Sequence, residues 1–375
     1  MFSGAYLKYL NAFLFLLVAF SPLSAQKSIQ ADGPYVFYKD GAIIVKSIHM
    51  SADTVYSAAE KKFKNKKNII LNCYSEETGD TFSFRLKNSI SPEKSLLPAA
   101  KRIFVLSDIE GNFKGFKSIL KGAGIIDDNF RWTFGDGHFV MLGDVFDRGA
   151  EPTECLWLLY KLESEAEKHG GKLHFILGNH EIMNLNNNTK YVDKLILKNS
   201  FLIRKSYDSL YGIDSELGRW LRSKNIAMKI GDLLFVHAGI SSSIDSLNLS
   251  IENLNKITLA NIGLRKEQIK GAENLAVTSS KIGPYWYRGY FNDAVDEESL
   301  GRILKKYDAQ RIIVGHTIVD TISYLFNGKV IAVDEEHQEN IKKGYMHALL
   351  IENGKFYIID DKGMKKRVGK YKKGN

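Results

Sequence analysis

Cysteine and proline are scarce in this chain of 375 residues, which contains two cysteines and six prolines. Two cysteines cannot build the disulfide framework on which small secreted folds depend. Cys73 and Cys155 lie far apart in the sequence, and we expect them to be buried free thiols. With 44% hydrophobic and 25% charged residues, the chain has the composition of a protein that buries a core of its own.

The body of the chain, between its two ends, has almost no net charge. The net charge of the chain is +9. Residues 1–25 contribute one positive charge, Lys8, and residues 362–375 contribute seven, and neither segment contains an acid. The rest of the chain therefore has a net charge of +1. A nearly neutral body gives no reason to expect a nucleic-acid partner. We interpret the basic tail, residues 362–375, as a solvated terminus, with attraction to anionic surfaces as the alternative.

A nearly uninterrupted apolar run extends from Tyr9 to Phe20, and small residues follow it up to Ala25. This pattern is typical of a secretory signal peptide, residues 1–25, that is cleaved after Ala25. The run is short for the alternative, a retained membrane anchor. We therefore expect a periplasmic or secreted protein without a stable membrane anchor after cleavage.

Residues 27–98 are predicted to form a small β-rich accessory unit. The segment from Tyr35 to Val45 predicts a hairpin that turns at Asp40-Gly41, and residues 68–73 and 81–86 predict a second strand pair. We find no catalytic pattern in this unit.

From residue 101 onward, strand and helix patterns alternate. Helices are predicted over residues 112–123, 152–169 and 182–224, an irregular segment over 241–283, and strands over 329–333, 345–351 and 355–360. Alternation of this kind predicts an α/β sandwich, with mixed sheets flanked by helices, over residues 101–361.

Polar side chains follow five short apolar segments at the points where the predicted strands end. The clearest example is the apolar run 103–106, which leads into Ser107-Asp108-Ile109-Glu110-Gly111. The polar residues at these five strand ends are Asp108, Glu110, Asp144, Asp147, Asn179, His180, His237 and His316. In open α/β sheets the carboxyl ends of strands carry the chemistry. Oxygen and imidazole donors in this number are the ligands of a hard or borderline metal site.

Five blocks of sequence around these residues resemble the motifs of the calcineurin-like metallophosphoesterases. They are Asp108-Ile109-Glu110-Gly111, Gly143-Asp144-Val145-Phe146-Asp147-Arg148-Gly149, Gly178-Asn179-His180-Glu181, Val236-His237-Ala238-Gly239 and Gly315-His316-Thr317. The ending Asp147-Arg148-Gly149 narrows the resemblance to the phosphoprotein-phosphatase branch. The segments 179–184, 190–192 and 283–289 resemble the Shewanella-like protein phosphatases within it.

The resemblance implies two divalent metal ions, with Asp144 as the carboxylate that bridges them. Asp108 and Glu110 would complete the first metal site, and the remaining ligands, Asn179, His237 and His316, would complete the second. Glu110 departs from the family pattern, which has histidine at this position. A carboxylate there favours Mn²⁺, Mg²⁺ or Fe over Zn²⁺, and an impaired or single-metal site is the alternative.

The resemblance also implies roles for four residues beside the metals. His180 would be the general acid, oriented by Asp147. Arg148 and Arg288 would bind the phosphoryl oxygens. The alternative for Arg148 is an ion pair with a nearby acid, and the alternative for Arg288 is a surface arginine beside Trp286.

These roles imply an exported phosphatase that hydrolyses phosphomonoesters, of proteins or small molecules, by attack of a metal-bridged hydroxide. One alternative is a dinucleoside-polyphosphate or phosphodiester hydrolase on the same scaffold. The other is a non-catalytic envelope-binding protein in which Glu110 has disabled the first metal site.

Overall fold

Two mixed β-sheets that pack face to face form the centre of the fold. The computed structural model describes residues 29–51, 55–67, 69–292 and 294–370. Over these ranges the strands are β1 (Ile29–Lys39), β2 (Ala42–Met50), β3 (Tyr56–Phe63), β4 (Ile70–Tyr74), β5 (Thr81–Arg85), β6 (Leu96–Leu97), β7 (Arg102–Leu106), β8 (His138–Met141), β9 (Lys172–Phe175), β10 (Ala227–Ile230), β11 (Leu233–Val236), β12 (Arg311–Val314), β13 (Ser323–Leu325), β14 (Val330–Ala332), β15 (His347–Glu352), β16 (Lys355–Asp360), β17 (Lys365–Arg367) and β18 (Gly369–Lys370). The predicted sandwich of mixed sheets flanked by helices is confirmed.

The helices cover the outer faces of the two sheets. Over the same ranges they are α1 (Phe113–Gly122), α2 (Pro152–Lys168), α3 (Asn179–Leu185), α4 (Lys194–Leu202), α5 (Tyr207–Leu210), α6 (Glu216–Leu221), α7 (Ser242–Ser246), α8 (Ile251–Asn261), α9 (Ala272–Val277), α10 (Glu297–Lys306) and α11 (His337–Lys342). Two single 3₁₀ turns, Lys266–Gln268 and Phe326–Gly328, complete the set.

One sheet has the strand order β17-β16-β15-β7-β8-β9, and the other has the order β18-β13-β14-β12-β11-β10-β6. Strands β7, β8 and β9 are parallel to one another, and so are β11, β12 and β14. Between the sheets lies an apolar core that includes Val105, Val140, Phe235 and Ile313. Because these central strands are covered on both faces, they appear in the sequence as continuous apolar runs rather than alternating ones.

The loops after these parallel strands meet at one edge of the sandwich. The amide of Asp108 donates to the carbonyl of Gly143, and the amide of Gly315 donates to the carbonyl of His237. The amide of His316, from the second sheet, donates to Oδ2 of Asp108, from the first, at 3.1 Å. The strand ends of both sheets therefore form a single surface.

Helices α1 and α2 follow the predicted limits to within one residue at each end. Asn112 caps α1, since its Oδ1 accepts the Gly115 amide at 2.8 Å. Pro152 stands at the start of α2, where a missing N–H costs nothing. Both helices bury apolar faces in the core that they share with the sheet containing β7, β8 and β9 and with the N-terminal strands.

The predicted helical insertion over residues 182–224 consists of four separate helices, α3 to α6. The asparagine run 186–188 ends the first of them, and Asn187 has a left-handed φ of 59°. The segment 241–283, predicted to be irregular, contains three short helices, α7 to α9.

The N-terminal strands form a layer outside α2. The hairpin β1–β2 turns at Asp40-Gly41 as predicted, and β4 pairs with β5 as predicted. Phe84 stacks on Trp157 of α2 with ring centroids 4.5 Å apart, and the layer shares one apolar core with α1 and α2. Strand β3 was not predicted, because its mixed charged sequence carries no clear alternation. The division at residue 98 stays a prediction.

The C-terminal strands β14, β15 and β16 lie within two residues of their predicted limits. In the basic tail, β17 pairs with β16 and β18 pairs with β13. The predicted signal peptide, residues 1–25, lies outside the described residues. In the part of the chain that the structure describes, no helix has both the length and the hydrophobicity for a membrane span. Cys73 and Cys155 are buried free thiols, as predicted.

Candidate metal centre and active site

Four side chains from four strand ends point their donor atoms at one another. Asp144 follows β8, Asn179 follows β9, His237 follows β11 and His316 follows β12. One ligand atom from each of Asp144, His237 and His316 lies within 4.8 Å of the others, and all three residues are buried. We call Asp144, Asn179, His237 and His316 the cation cluster.

The two imidazoles of the cation cluster are oriented by backbone carbonyls. His237 Nδ1 lies 2.6 Å from the carbonyl oxygen of Leu142, and His316 Nε2 lies 3.1 Å from that of Trp286. A ring nitrogen that donates to a carbonyl leaves the opposite nitrogen as an acceptor. His237 Nε2 and His316 Nδ1 therefore face the cluster, and each can bind a metal when it carries no proton.

The Asn179 side chain supports the cluster as a cation site. Its amide oxygen lies 3.0 Å from His237 Nε2, 2.7 Å from His316 Nδ1 and 3.2 Å from Asp144 Oδ2. These contacts are satisfied either by a cation at their centre or by rotation of the amide so that it donates. The donor chemistry favours the cation, because a carboxylate, an amide oxygen and two imidazoles suit Mn²⁺, Fe²⁺ or Zn²⁺.

Asp144 is held from several directions. Its Oδ1 accepts the backbone amide of His180 at 2.9 Å, while Oδ2 lies 3.2 Å from His237 Nε2. Burial alone would raise the pKa of this carboxyl, but the charges of His237 and His180 hold the pKa well below its ordinary value. A Cβ on Gly178 would lie 2.2 Å from Asp144 Oδ1, so only glycine fits before Asn179.

Glu181 supports the same loops, although no role was predicted for it from the sequence. It is fully buried, and its two carboxylate oxygens accept the backbone amides of Asp144, Val145 and Gly178 at 2.7 to 2.8 Å. The sequence contains one indication of this role. Glu181 lies three residues after Gly178, at the start of a helix, where an acidic side chain can accept hydrogen bonds from free backbone amides.

His180 and Asp147 form a buried pair beside the cluster. His180 Nδ1 lies 2.5 Å from Asp147 Oδ2, and Asn184 Nδ2 donates to Asp147 Oδ1 at 3.0 Å. Burial opposes a charge on His180, but the carboxylates of Asp144 and Asp147 outweigh it and raise the pKa to about 9. His180 can therefore carry a proton at neutral pH. The ring of Tyr191, which is exposed, lies 5.4 Å from the His180 ring.

The neighbouring corner of the site is rich in carboxylates. Asp108 accepts the amide of His316, and burial, only partly offset by His237, raises the pKa of Asp108 to about 6. Burial likewise raises the pKa of Glu110, while the ion pair with Arg148 opposes this shift and favours the charged carboxylate. Asp334, after β14, was not predicted to belong to the site. Burial is the main cause, and the negative charge of Asp108 the next, of a pKa for Asp334 well above the ordinary value.

The two predicted phosphate-binding arginines differ in their surroundings. Arg148 forms an ion pair with Glu110 Oε1 through Nη1, which is the contact named above as its alternative. Its backbone amide donates to the carbonyl of Tyr191 at 3.0 Å. Arg288 is exposed and donates to Thr317 Oγ1 at 3.1 Å. Both guanidinium groups are reachable from solvent.

The backbone at these strand ends is unusual. The residues with a left-handed φ between 48° and 73° include Asp108, Glu110, Asp144, Asp147, Arg148 and His316. Side chains other than glycine rarely adopt this conformation, and such residues collect at functional sites where the surrounding structure enforces it. The structure thus brings all ten residues of the predicted site to one edge of the sandwich, although their individual roles stay predictions.

Comparison with known proteins gives a consistent picture. Residues 101–320 match the calcineurin-like phosphoesterase family. The structure is similar to that of a cold-active protein-tyrosine phosphatase from a psychrophilic Shewanella species, with a TM-score of 0.80 and 34% identity over 90% of this chain and 99% of that one.

Two relatives by sequence come from eukaryotes. Shewanella-like protein phosphatase 2 of Arabidopsis thaliana is 27% identical over 62% of this chain and 71% of its own length. Shewanella-like protein phosphatase 1 of Plasmodium berghei is 30% identical over 58% of this chain and 61% of its own length. The chain therefore spans only part of these relatives.

Proposed function

Since this chain belongs to the calcineurin-like phosphoesterase family, we propose that it is a metal-dependent phosphatase that hydrolyses phosphomonoesters, including those of phosphoproteins. The observation that carries the proposal is the cation cluster next to the pair of His180 and Asp147. A set of acceptors that suits a cation stands beside a group that can give up a proton.

The residues present fit a divalent cation, and we propose that the chain holds two. Asp144, Asn179, His237 and His316 would hold one, while Asp108 and Asp144 supply oxygen donors for the other. Divalent ions bound there would offset the charge of the phosphoryl group and lower the pKa of a bound water. Mn²⁺ or Fe²⁺ suits the mixed oxygen and nitrogen donors.

His180 acts on the leaving group in this proposal. A proton on its imidazole, stabilised by Asp147, is transferred to the ester oxygen as the bond to phosphorus breaks. Asn184 fixes Asp147 through its second oxygen, so that the imidazole is presented in one orientation. Arg288, and Arg148 once it is free to bind, stabilise the charge that develops on the phosphoryl oxygens.

Phosphotyrosine is the first substrate class to examine. The Shewanella structure that resembles this chain over 90% of its length is described as a protein-tyrosine phosphatase. We propose that aryl phosphates are accepted here, with the exposed ring of Tyr191 beside His180 as one wall for the leaving group.

A phosphate-release screen tests the function. Purified protein is incubated with phosphotyrosine and phosphoserine peptides, sugar phosphates and dinucleoside polyphosphates, each with Mn²⁺, Fe²⁺, Mg²⁺ or Zn²⁺. We expect release from phosphomonoesters. Release from dinucleoside polyphosphates alone would favour the other hydrolase class, and no release with any metal would favour a binding protein.

We further propose that the protein is exported to the periplasm or beyond. The support is the apolar run 9–20 followed by small residues, as described above. Mass spectrometry of protein recovered from the extracytoplasmic fraction should find a mature N-terminus at Gln26. An intact N-terminus on protein confined to the cytoplasm would contradict export.

A further inference from the structure

Glu110 stands where the family pattern has a histidine ligand, and in this structure its side chain makes a different contact. Glu110 Oε1 pairs with Arg148 Nη1. The carboxylate is nearly buried, with 7% of its side chain exposed, whereas 47% of the Arg148 side chain is exposed. The buried acid thus holds an arginine whose other face is open to solvent.

The backbone builds this contact into the junction of two strand-end loops. The amide of Gly149 donates to the carbonyl of Glu110 at 2.9 Å, and Gln338 Nε2 donates to the same carbonyl at 2.9 Å. The loops approach so closely that a Cβ on Gly149 would lie 2.4 Å from that carbonyl oxygen. Because the main chain at Glu110 is held by two hydrogen bonds, the ion pair with Arg148 can break only by rotation of one of the two side chains.

The cation cluster does not include Glu110. Among the described residues, the carboxylate and imidazole groups whose ligand atoms lie within 4.8 Å of one another are those of Asp144, His237 and His316. A carboxylate already paired with a guanidinium is a poor additional ligand, since coordination would leave Arg148 without its partner. The ion pair with Arg148 therefore distinguishes Glu110 from the imidazole ligand that the family pattern has at this position.

We propose that Glu110 is a competitor of the substrate's phosphoryl group for Arg148 rather than a metal ligand, and so determines how weakly the site holds phosphate. The inference rests on the proposed phosphatase function. A guanidinium binds a carboxylate and a phosphate through the same planar set of donors, so the two anions exclude each other. When phosphate binds, the ion pair with Glu110 breaks and one with a phosphoryl oxygen forms.

The surroundings make this exchange costly. The displaced carboxylate remains close to Asp108 and Asp144, and their negative charges repel it. Glu110 therefore lowers the affinity for substrate and for the product phosphate alike. The same exchange speeds product release, because Glu110 regains Arg148 as phosphate leaves.

The test compares the metal-loaded wild-type protein with the variant Glu110→Gln. Isothermal titration calorimetry measures the binding of inorganic phosphate, and elemental analysis measures metal per chain. We expect the variant to bind phosphate roughly ten- to a hundredfold more tightly, the range of one hydrogen bond to a charged group, with an unchanged metal content. KM should fall by a similar factor while kcat does not rise.

Two further variants separate direct competition from general electrostatics. Glu339→Gln removes the same charge from the exposed face of α11, the helix that also carries Gln338, and should leave phosphate affinity unchanged. Glu110→Asp keeps the charge but shortens the side chain, and should give an affinity between those of wild type and Glu110→Gln.

Three outcomes have distinct meanings. Loss of metal from Glu110→Gln would show that Glu110 is a ligand and would overturn the inference. Unchanged or weaker phosphate binding with full metal content would overturn it as well. If neither protein binds phosphate or hydrolyses any phosphomonoester, the proposed function itself fails.

Discussion

Two clusters of polar side chains in this protein differ in how their charges and hydrogen bonds are matched. On the far side of α2, Glu163 accepts hydrogen bonds from Lys224, from Lys87 at 2.8 Å and from Trp220 Nε1 at 2.6 Å. We call these four residues the Glu163 network. In the cation cluster, by contrast, the Asn179 amide oxygen faces four acceptors, which are Asp144 Oδ2, His237 Nε2, His316 Nδ1 and the Tyr285 carbonyl oxygen. A network whose donors and acceptors match stabilises the fold, whereas acceptors that face one another are suited to binding a cation.

The backbone shows the same contrast. Glu163 lies within the regular helix α2, while Asp144 and His316 have left-handed φ values of 54° and 65°. The Glu163 network therefore causes little conformational strain in the chain, whereas the strained backbone of the cation cluster is held in place by the sheets beneath it. We expect substitutions in the Glu163 network to alter stability and substitutions at the strand ends to alter turnover.

The largest effect is expected for Asp144→Asn. The carboxylate contributes the only negative charge of the cation cluster as described here, so its loss should reduce hydrolysis of p-nitrophenyl phosphate to the background rate. Circular dichroism should show that the variant is folded. Asp308→Asn, at an exposed aspartate, is the control and should keep the wild-type rate. Wild-type turnover by Asp144→Asn would remove the contrast between the two regions.

His180→Asn should lower kcat by roughly 10²- to 10⁴-fold, the usual contribution of general acid catalysis. The loss should be greatest for alkyl phosphates, whose poor leaving groups need the proton, and smaller for p-nitrophenyl phosphate. A rate series across leaving groups measures this. An equal loss for all of them would assign His180 to binding instead of proton transfer.

Glu163→Gln should affect stability and leave turnover unchanged. The substitution leaves the Lys224 ammonium, with 2% of its side chain exposed, without its closest carboxylate, and we expect a loss of about 2 kcal/mol in the free energy of unfolding. Urea unfolding measures the loss. Glu167→Gln, four residues further along α2 and exposed, is the matched control. A selective loss of activity in Glu163→Gln would contradict the division of roles.

The smallest effect is a pH dependence of the Glu163 contribution. Burial would raise the pKa of Glu163, but Lys224 and Lys87 outweigh it and lower the pKa from 4.5 to about 2. A depressed pKa gives stability that is present above pH 4.5 and disappears as the pH falls toward 2. The difference in unfolding free energy between wild type and Glu163→Gln should therefore shrink over this interval. A constant difference would mean that packing, and not charge, is what Glu163 contributes.

The sequence sufficed to predict the parts of the molecule in which local pattern and tertiary structure agree. The five strand ends carry their polar residues directly after apolar runs, so β7, β8, β9, β11 and β12 could all be placed. The Asp40-Gly41 turn was equally clear, because its two residues favour the left-handed backbone that a two-residue hairpin needs.

Features that depend on distant partners could not be predicted. Glu110 and Arg148 are 38 residues apart, and their ion pair depends on how closely two loops approach. Asp334 follows a short strand without a motif of its own, and it is important only because its neighbours are other carboxylates. Strand β18 owes its pairing to an edge of β13 that sequence periodicity does not reveal.

The origin of the cation cluster in both sheets has a consequence for how the protein matures. Asp144 and Asn179 come from one sheet, and His237 and His316 come from the other. A nascent chain lacks the last of these donors until residue 316 has been synthesised and β12 has joined its neighbours. Tight binding of a metal at this cluster would therefore require both sheets to be in place, and a quality-control step that monitored it would inspect the two sheets together.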